Sequence, residues 1–404
     1  TEWLTQDLYD KHCPVVIMPP TFFPIPPMKN PLLGLSEQGQ SVWFDFICRS
    51  LIESGDLARL IEQDGVQGVT SNPSIFEAAI AKSNDYDETL RELDVPGSNA
   101  EGIYETLAIR DIQAACDALH GVYLKTKGND GFVSLEVSPL LANDTDGTLL
   151  AARRLHGLVQ RPNLMIKVPA TEEGLPAIQI LIAEGIHVNV TLLFSLEMYE
   201  RVTEAFISGL EQRVAKGESP AHVRSVASFF ISRIDAKVDA VLREQLEKSN
   251  GPKDRALLQG LIGKAAIANA RVTYARSKSI FTGERWEALA AQGAVQQRLL
   301  WASTSTKDPS FCDVLYVEEL VGENTVNTIP AATLDAFRDH GRPRASLEED
   351  LDGARTVLAA LPEVGVDLDG ITKGLLAGGV QSFIDAYGRL IETVEQRRGN
   401  KVEA

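Results

Sequence analysis

Short apolar runs alternate with longer helical patterns from residue 40 to the end of the chain. The runs are rich in β-branched and aromatic residues and are nearly uninterrupted, which is typical of strands covered on both faces of a parallel sheet. They lie at 41–47, 65–72, 131–138, 163–170, 186–194, 223–232, 297–304 and 324–330. The stretches between them, such as 99–126 and 195–217, have the apolar spacing of amphipathic helices.

Eight such strands, each followed by helix, predict an α/β protein with a (β/α)8 TIM barrel. Helical insertions near 84–98 and 236–292 and a helical tail at 332–399 account for the length beyond a minimal barrel. A doubly wound sheet is the alternative that the alternation leaves open. The glycine fingerprints of nucleotide-binding sheets do not support it, because no GxGxxG follows a strand.

The first 30 residues differ in composition from the rest. The segment CPVVIMPPTFFPIPPM is apolar and dense in proline, which excludes a regular helix or a central strand. We expect residues 1–30 to form an extended arm that is either packed on the body or disordered, with the alternative that residues 1–27 precede a natural start at Met28. Residues 31–404 are expected to form one barrel domain.

Charge and cysteine usage narrow the class of protein. A net charge of −17 argues against nucleic acid or an anionic membrane as the main partner. The sequence contains no run of 18 apolar residues, so no transmembrane helix is predicted. The four cysteines are scattered without CxxC or zinc-type spacing, as is usual in a reducing cytosol, so a cytoplasmic location is expected.

Polar side chains recur at the ends of the predicted strands, where barrel enzymes carry their chemistry. Two pairs, Ser134 with Glu136 and Asn189 with Thr191, are spaced two apart and therefore share a face of their strand. Seven consecutive strands supply such groups, although any single one is more often structural. The candidates are Asp45, Thr70, Ser71, Asn72, Ser134, Glu136, Lys167, Asn189, Thr191, Ser228, Arg233, and Ser303 to Lys307.

Lys167 has the most apolar surroundings of any lysine, in NLMIKVPA. Removing an ammonium from water disfavours its charged form, which leaves a free amine available to attack a carbonyl. Glu136 and Asp45 are candidates for the acid/base carboxylates that a Schiff base requires. A buried ion pair between Glu136 and Lys167 is the structural alternative.

The other candidates suit a phosphorylated sugar. Small polar side chains can hold hydroxyls, and Arg233 with Lys307 and the hydroxyls from Ser303 onward can receive a phosphate. The six histidines are dispersed and no HExxH occurs, so no metal site is predicted. The inferred class is a Schiff-base lyase or transferase acting on a phosphorylated keto-sugar.

Several strand-end segments resemble those of transaldolases. GVTSNPSIFEAAI (68–80) resembles the segment near their second strand, and LMIKVPAT (164–171) resembles the one carrying their Schiff-base lysine. SLEVSP, NVTLLFS, ASFFISRID and WASTSTKDP match in order, and the similarity runs from about Asn30 to the C-terminus. The chain looks most like the longer bacterial subgroup.

The resemblance implies specific roles. Lys167 would attack the ketose C2 carbonyl, and Asp45 would exchange a proton with the C4 hydroxyl as the C3–C4 bond breaks. Glu136 and Thr191 would hold the water of carbinolamine formation and breakdown. Hydroxyls of the dihydroxyacetone unit would be bound by Asn72, Asn189 and Ser228, and phosphate by Arg233, Ser303 and Lys307.

By the same resemblance, the donor is sedoheptulose 7-phosphate and the acceptor is glyceraldehyde 3-phosphate, in the non-oxidative pentose phosphate pathway. No cofactor is expected, the expected partners are sugar phosphates and neither nucleic acid nor membrane, and the expected oligomeric state is a monomer or a homodimer. Two alternatives stay open: an aldolase of the same superfamily that releases free dihydroxyacetone, and a non-catalytic barrel that binds sugar phosphates.

Overall fold

The computed structural model describes residues 30–399. Eight parallel strands close in sequence order into a barrel, which confirms the predicted TIM barrel and excludes the doubly wound sheet. All eight predicted strands are present, and most end two or three residues earlier than predicted. Strands β1 to β8 are Gln40–Phe44, Val66–Thr70, Phe132–Glu136, Leu164–Pro169, Val188–Leu193, Ser225–Phe230, Arg298–Ala302 and Thr325–Ile329.

The helices surround the barrel and fill the predicted insertions and tail. A single 3₁₀ turn, Pro139–Leu141, follows β3. Helices α1 to α17 in the described residues are Pro31–Glu37, Arg49–Glu53, Asp56–Asp64, Pro73–Lys82, Asp87–Leu93, Ala100–Lys125, Thr145–Val159, Gly174–Ala183, Leu196–Ala215, Ser232–Lys248, Pro252–Leu261, Ala265–Ile280, Glu284–Ala290, Leu315–Glu318, Ala331–His340, Leu351–Glu363 and Leu368–Gly399. Among residues 30–399, no helix is long and apolar enough to cross a membrane.

Several helices begin at side-chain caps that also lie at the ends of strands. Asn72 caps α4 by accepting a hydrogen bond from the backbone N–H of Ile75 at 3.0 Å. Ser195 caps α9 in the same way after β5. An N-terminal cap of this kind stabilises a helix by about 1 kcal/mol, so these polar residues define where strand turns into helix. The predicted proline-rich arm lies outside the described residues, apart from Asn30, which caps α1.

The long C-terminal helix α17 packs on α4 and α6 and reaches β5 at the carboxyl end of the barrel. At that contact, Leu192 has a positive φ of 61° and the β5–β6 register shifts between Val190 and Leu193. Gly379 of α17 lies against Leu192, where a Cβ atom would come within 2.9 Å of the leucine Cδ2. The bulge and the glycine therefore let α17 approach the end of the barrel where the polar strand ends lie.

Candidate functional site

A cleft of about 160 Å³ opens at the carboxyl end of the barrel. Ten of the sixteen candidate residues line it. They are Asp45, Thr70, Asn72, Lys167, Thr191, Ser228, Arg233, Ser303, Ser305 and Lys307. The six candidates that are not part of this lining are Ser71, Ser134, Glu136, Asn189, Thr304 and Thr306.

Lys167 is buried, with 4% of its surface exposed, in a strand whose six residues are all buried. Its ammonium donates a hydrogen bond to the backbone carbonyl of Ser71 at 3.1 Å. The carboxylate of Glu136 lies 3.6 Å from Nζ, because the parallel register of β3 and β4 sets Glu136 opposite Lys167. The contact is direct, with an ion-pair separation slightly longer than a hydrogen bond.

Burial dominates the electrostatics of Glu136. Desolvation raises its pKa to about 7, and the nearby Lys167 ammonium only partly opposes that rise. A carboxyl group that titrates near neutral pH can both donate and accept a proton under physiological conditions. Oε2 of Glu136 and Oγ1 of Thr191 are both buried without a hydrogen-bond partner among the described residues, and ordered water typically satisfies such oxygens.

Asp45 lies one residue past β1, where its backbone N–H still donates to Ile329. Thr70 donates a hydrogen bond to its carboxylate at 2.7 Å. Because the Thr70 hydroxyl has one proton, Thr328 must be the donor in the 2.6 Å contact between the two threonine hydroxyls. Burial raises the pKa of Asp45, while Lys167, Thr70 and the nearby cations act in the opposite direction. The threonine pair thus fixes one carboxylate oxygen and leaves the other available.

Asn189 lies fully buried beneath the cleft. Its amide donates to the hydroxyl of Ser134 at 2.9 Å, and its carbonyl oxygen accepts from Ser228 at 2.6 Å. The three residues form a polar layer that links β3, β5 and β6. The hydrogen bonds inside this layer hold Asn189 and Ser228 in fixed orientations.

Two cations lie at the far wall of the cleft. The guanidinium of Arg233 is 5.0 Å from the ring centre of Phe230, and Lys307 donates to the hydroxyl of Ser305 at 2.9 Å. Burial is the main cause of the lowered pKa of Lys307, and the charge of Arg233 lowers that pKa further. Two mutually repelling cations beside hydroxyl groups are an arrangement that a phosphate dianion would stabilise.

The turn after β7 brings Ser303 into the cleft. Ser303 has a positive φ of 57°, and its hydroxyl lies 3.1 Å from that of Ser232 at the start of α10. Left-handed backbone in a residue other than glycine is often found at functional sites. The hydroxyl is thereby held near Arg233, one residue further along α10.

Residues that the sequence reasoning missed come from β8 and α17. Thr328 contacts Thr70 and lines the cleft, whereas the predicted polar strand ends belong to the first seven strands. The sequence NTVNTIP contained that signal. Phe383 of α17 also lines the cleft, and its ring centre lies 6.0 Å from Lys167 Nζ. No local pattern predicts Phe383, because it reaches the lysine only through the fold of the tail.

The described residues also contain one group with the spacing of metal ligands. It consists of Cys312, Asp313 and His340, all exposed, and none of them lines the cleft. The cleft presents the amine of Lys167, the carboxyl group of Asp45, hydroxyls and the cations of Arg233 and Lys307, and the carboxyl group of Glu136 lies 3.6 Å from the amine.

The chain is similar to known transaldolases over most of its length. The family model described as transaldolase/fructose-6-phosphate aldolase matches residues 42–394. The chain is 49% identical over 373 residues to a transaldolase of Frankia alni, covering 92% of this chain and 98% of that protein. A transaldolase of Thermobifida fusca is 48% identical over 371 residues, 92% and 99% of the two chains. A transaldolase of Trichodesmium erythraeum is 45% identical over 370 residues, 91% and 97%.

Proposed function

The chain belongs to the transaldolase and fructose-6-phosphate aldolase family, and from that premise we propose that it is a transaldolase working through a Schiff base on Lys167. It transfers a dihydroxyacetone unit from sedoheptulose 7-phosphate to glyceraldehyde 3-phosphate, giving erythrose 4-phosphate and fructose 6-phosphate. The observation that carries the proposal is a buried lysine amine with a carboxyl group of near-neutral pKa 3.6 Å away.

The reaction begins when the amine of Lys167 attacks the ketose C2 carbonyl and forms a carbinolamine. Glu136 in its acid form gives a proton to the C2 hydroxyl, which leaves as water, and an iminium ion results. Asp45 then removes the proton from the C4 hydroxyl while the C3–C4 bond breaks, and the bond electrons move into the iminium. The raised pKa of Asp45 makes it a stronger base for this step.

The second half runs in the reverse direction. The enamine attacks the acceptor aldehyde, and Asp45 returns its proton to the new hydroxyl. Water then adds to C2, and the C2–N bond breaks to release the ketose and the free amine. Asn72, Ser228 and Asn189 hold hydroxyls of the dihydroxyacetone unit, with Asn189 acting through its fixed contact to Ser228.

The competing activity is that of an aldolase, in which the enamine picks up a proton and free dihydroxyacetone leaves. The relatives compared above, at 45–49% identity, are called transaldolases, which supports the transferase. Assaying fructose 6-phosphate cleavage with and without erythrose 4-phosphate separates the two. A transaldolase needs the acceptor, and cleavage at full rate without it would identify an aldolase.

Glu136 gives a prediction about pH. Because its pKa is about 7, the acid form that protonates the leaving hydroxyl is depleted above that pH. We expect the rate of adduct formation on Lys167 to show an inflection near pH 7 and to decline on the alkaline side. Glu136→Gln should lose this inflection and slow adduct formation by roughly 10²–10⁴-fold. Rapid-quench borohydride trapping at a series of pH values measures both, and an unchanged inflection in the variant would contradict the assignment.

Arg233 gives a prediction about phosphate recognition. We expect Arg233→Gln to raise KM for fructose 6-phosphate roughly 10–100-fold, since a charge-assisted contact to phosphate is lost, with a smaller effect on kcat. Lys237→Gln, on the exposed face of the same helix, is the matched control and should behave as wild type. Equal effects of Arg233→Gln on fructose 6-phosphate and on unphosphorylated fructose would argue against a phosphate ligand.

The proposal extends to the partners, location, oligomeric state and domain extent of the enzyme. Its partners are sugar phosphates, it acts in the cytoplasm as a monomer or homodimer, and residues 31–404 form its catalytic domain. The scattered cysteines support a reducing compartment.

A further inference from the structure

A second cavity, of about 420 Å³, lies beside the carboxyl end of β3. Its walls come from β3, α4, α6, α7 and α17, and it is separate from the cleft that holds Lys167. Glu136 lines this second cavity. Asn72 lines both spaces, so Asn72 and Glu136 form the boundary between them.

The cavity changes from apolar and buried to charged and exposed along its walls. Near β3, the ring of Tyr104 packs edge-on against Phe76 and Tyr387, with centres 5.8 and 5.9 Å apart. At the other side lie the ion-paired Arg154 and Glu105, whose side chains are 52% and 31% exposed. The space therefore connects a buried carboxyl group with bulk solvent.

Tyr104 is close to Glu136 electrostatically. Burial is the main cause of the raised pKa of its phenol, and the charges of Tyr387 and then Glu136 add to it. The hydroxyl of Tyr104 thus stays protonated beside the inner end of the cavity. A neutral hydroxyl there can carry hydrogen bonds of water without competing for the proton of Glu136.

On the other side of Glu136, the amine of Lys167 lies at the cleft between protein groups. The Nζ atom is capped by the Ser71 carbonyl, and Phe383 of α17 lies 6.0 Å away. In the proposed reaction the sugar itself fills the cleft above the amine. Water that leaves or enters at C2 then needs a path that does not pass the bound sugar.

We propose that the cavity beside β3 is the route by which water and protons reach Glu136 during formation and hydrolysis of the Schiff base. The inference rests on the proposed function. In each cycle, Glu136 protonates the C2 hydroxyl, the C2–O bond breaks, and one water molecule leaves. Later, one water molecule adds to C2 and its proton returns to Glu136. While the sugar occupies the cleft, water moves through this cavity, and the carboxyl group of Glu136 exchanges its proton with solvent along the same path.

Filling the cavity tests the route. Ala151 of α7 lines the cavity, and the adjacent Leu150 is 68% exposed to solvent. We expect Ala151→Phe to slow the enzyme-catalysed exchange of ¹⁸O from water into C2 of fructose 6-phosphate by at least about fivefold, with Ala151→Leu intermediate, because each side chain narrows the path. Leu150→Phe places the same ring in solvent and should exchange at the wild-type rate.

A second measurement separates slow water transfer from damage to the site. A blocked route slows imine formation and hydrolysis together, so the fraction of Lys167 trapped by borohydride at equilibrium should equal that of wild type. Wild-type exchange rates in folded Ala151→Phe and Ala151→Leu would overturn the route, and so would slowed exchange accompanied by a lower equilibrium adduct. If wild-type protein itself forms no adduct on Lys167, it is the proposed function that fails.

Discussion

Replacing Lys167 with methionine is expected to lower transaldolase turnover by roughly 10⁴-fold or more, since the nucleophile that forms the covalent intermediate is lost. Methionine keeps the apolar stem and most of the volume. Borohydride trapping with fructose 6-phosphate should label wild type at Lys167 and leave the variant unlabelled, as mass spectrometry of the peptide can show. Lys253→Met, at an exposed position, is the control and should retain activity.

The same variant decides between catalysis and a purely structural ion pair. If the Glu136–Lys167 pair existed for stability, removing one partner would cost about 3–5 kcal/mol of the free energy of unfolding. We expect a much smaller loss, because burial already raises the pKa of Glu136 to about 7 and without the lysine the carboxyl group can remain neutral by keeping its proton. A large fall in the thermal midpoint of Lys167→Met, with adduct formation on another lysine, would contradict the mechanism.

Asp45→Asn is expected to reduce turnover by roughly 10²–10⁴-fold, since the base for C3–C4 cleavage is removed. Asparagine keeps the shape and an oxygen that can accept from Thr70, whose hydrogen bond fixes the carboxylate. The Schiff base itself does not need Asp45, so borohydride should still trap fructose 6-phosphate on Lys167. The expected signature is therefore a normal adduct with little transfer to erythrose 4-phosphate.

A matched control for Asp45→Asn is Asp146→Asn on α7, where the carboxylate is exposed. It should leave turnover and trapping unchanged. Loss of the adduct in Asp45→Asn would assign Asp45 to carbinolamine chemistry and would contradict the division of labour with Glu136. Normal turnover would remove Asp45 from the catalytic group altogether.

The sequence by itself determined the barrel and most of the candidate site. Apolar strands at regular intervals can bury both faces only in a parallel sheet covered by helices, and the observed barrel follows that order. Polar residues at strand ends then had to meet at one end, because parallel strands all finish at the same edge. This is why ten of the sixteen candidates line one cleft.

Only the tertiary structure decided the contacts between those residues. The register of β3 and β4 sets Glu136 beside Lys167 at 3.6 Å, a distance that no strand pattern specifies. Thr328 orients Thr70 from a strand far along the chain. Asn189, spaced to face the cleft, lies beneath it, because its amide is satisfied within the polar layer.

The covering of the amine was also decided by the tertiary structure. Phe383 and the cavity beside β3 depend on where α17 packs, and that packing requires Gly379 against a left-handed Leu192. The sequence places Lys167 in an apolar strand, where a charged side chain is costly to bury. The strand and the face that Lys167 occupies depend on its neighbours in the chain, so the local pattern predicts them. Its charge partner Glu136 comes from the preceding strand and its cover Phe383 from the C-terminal helix, and only the folded chain brings them together.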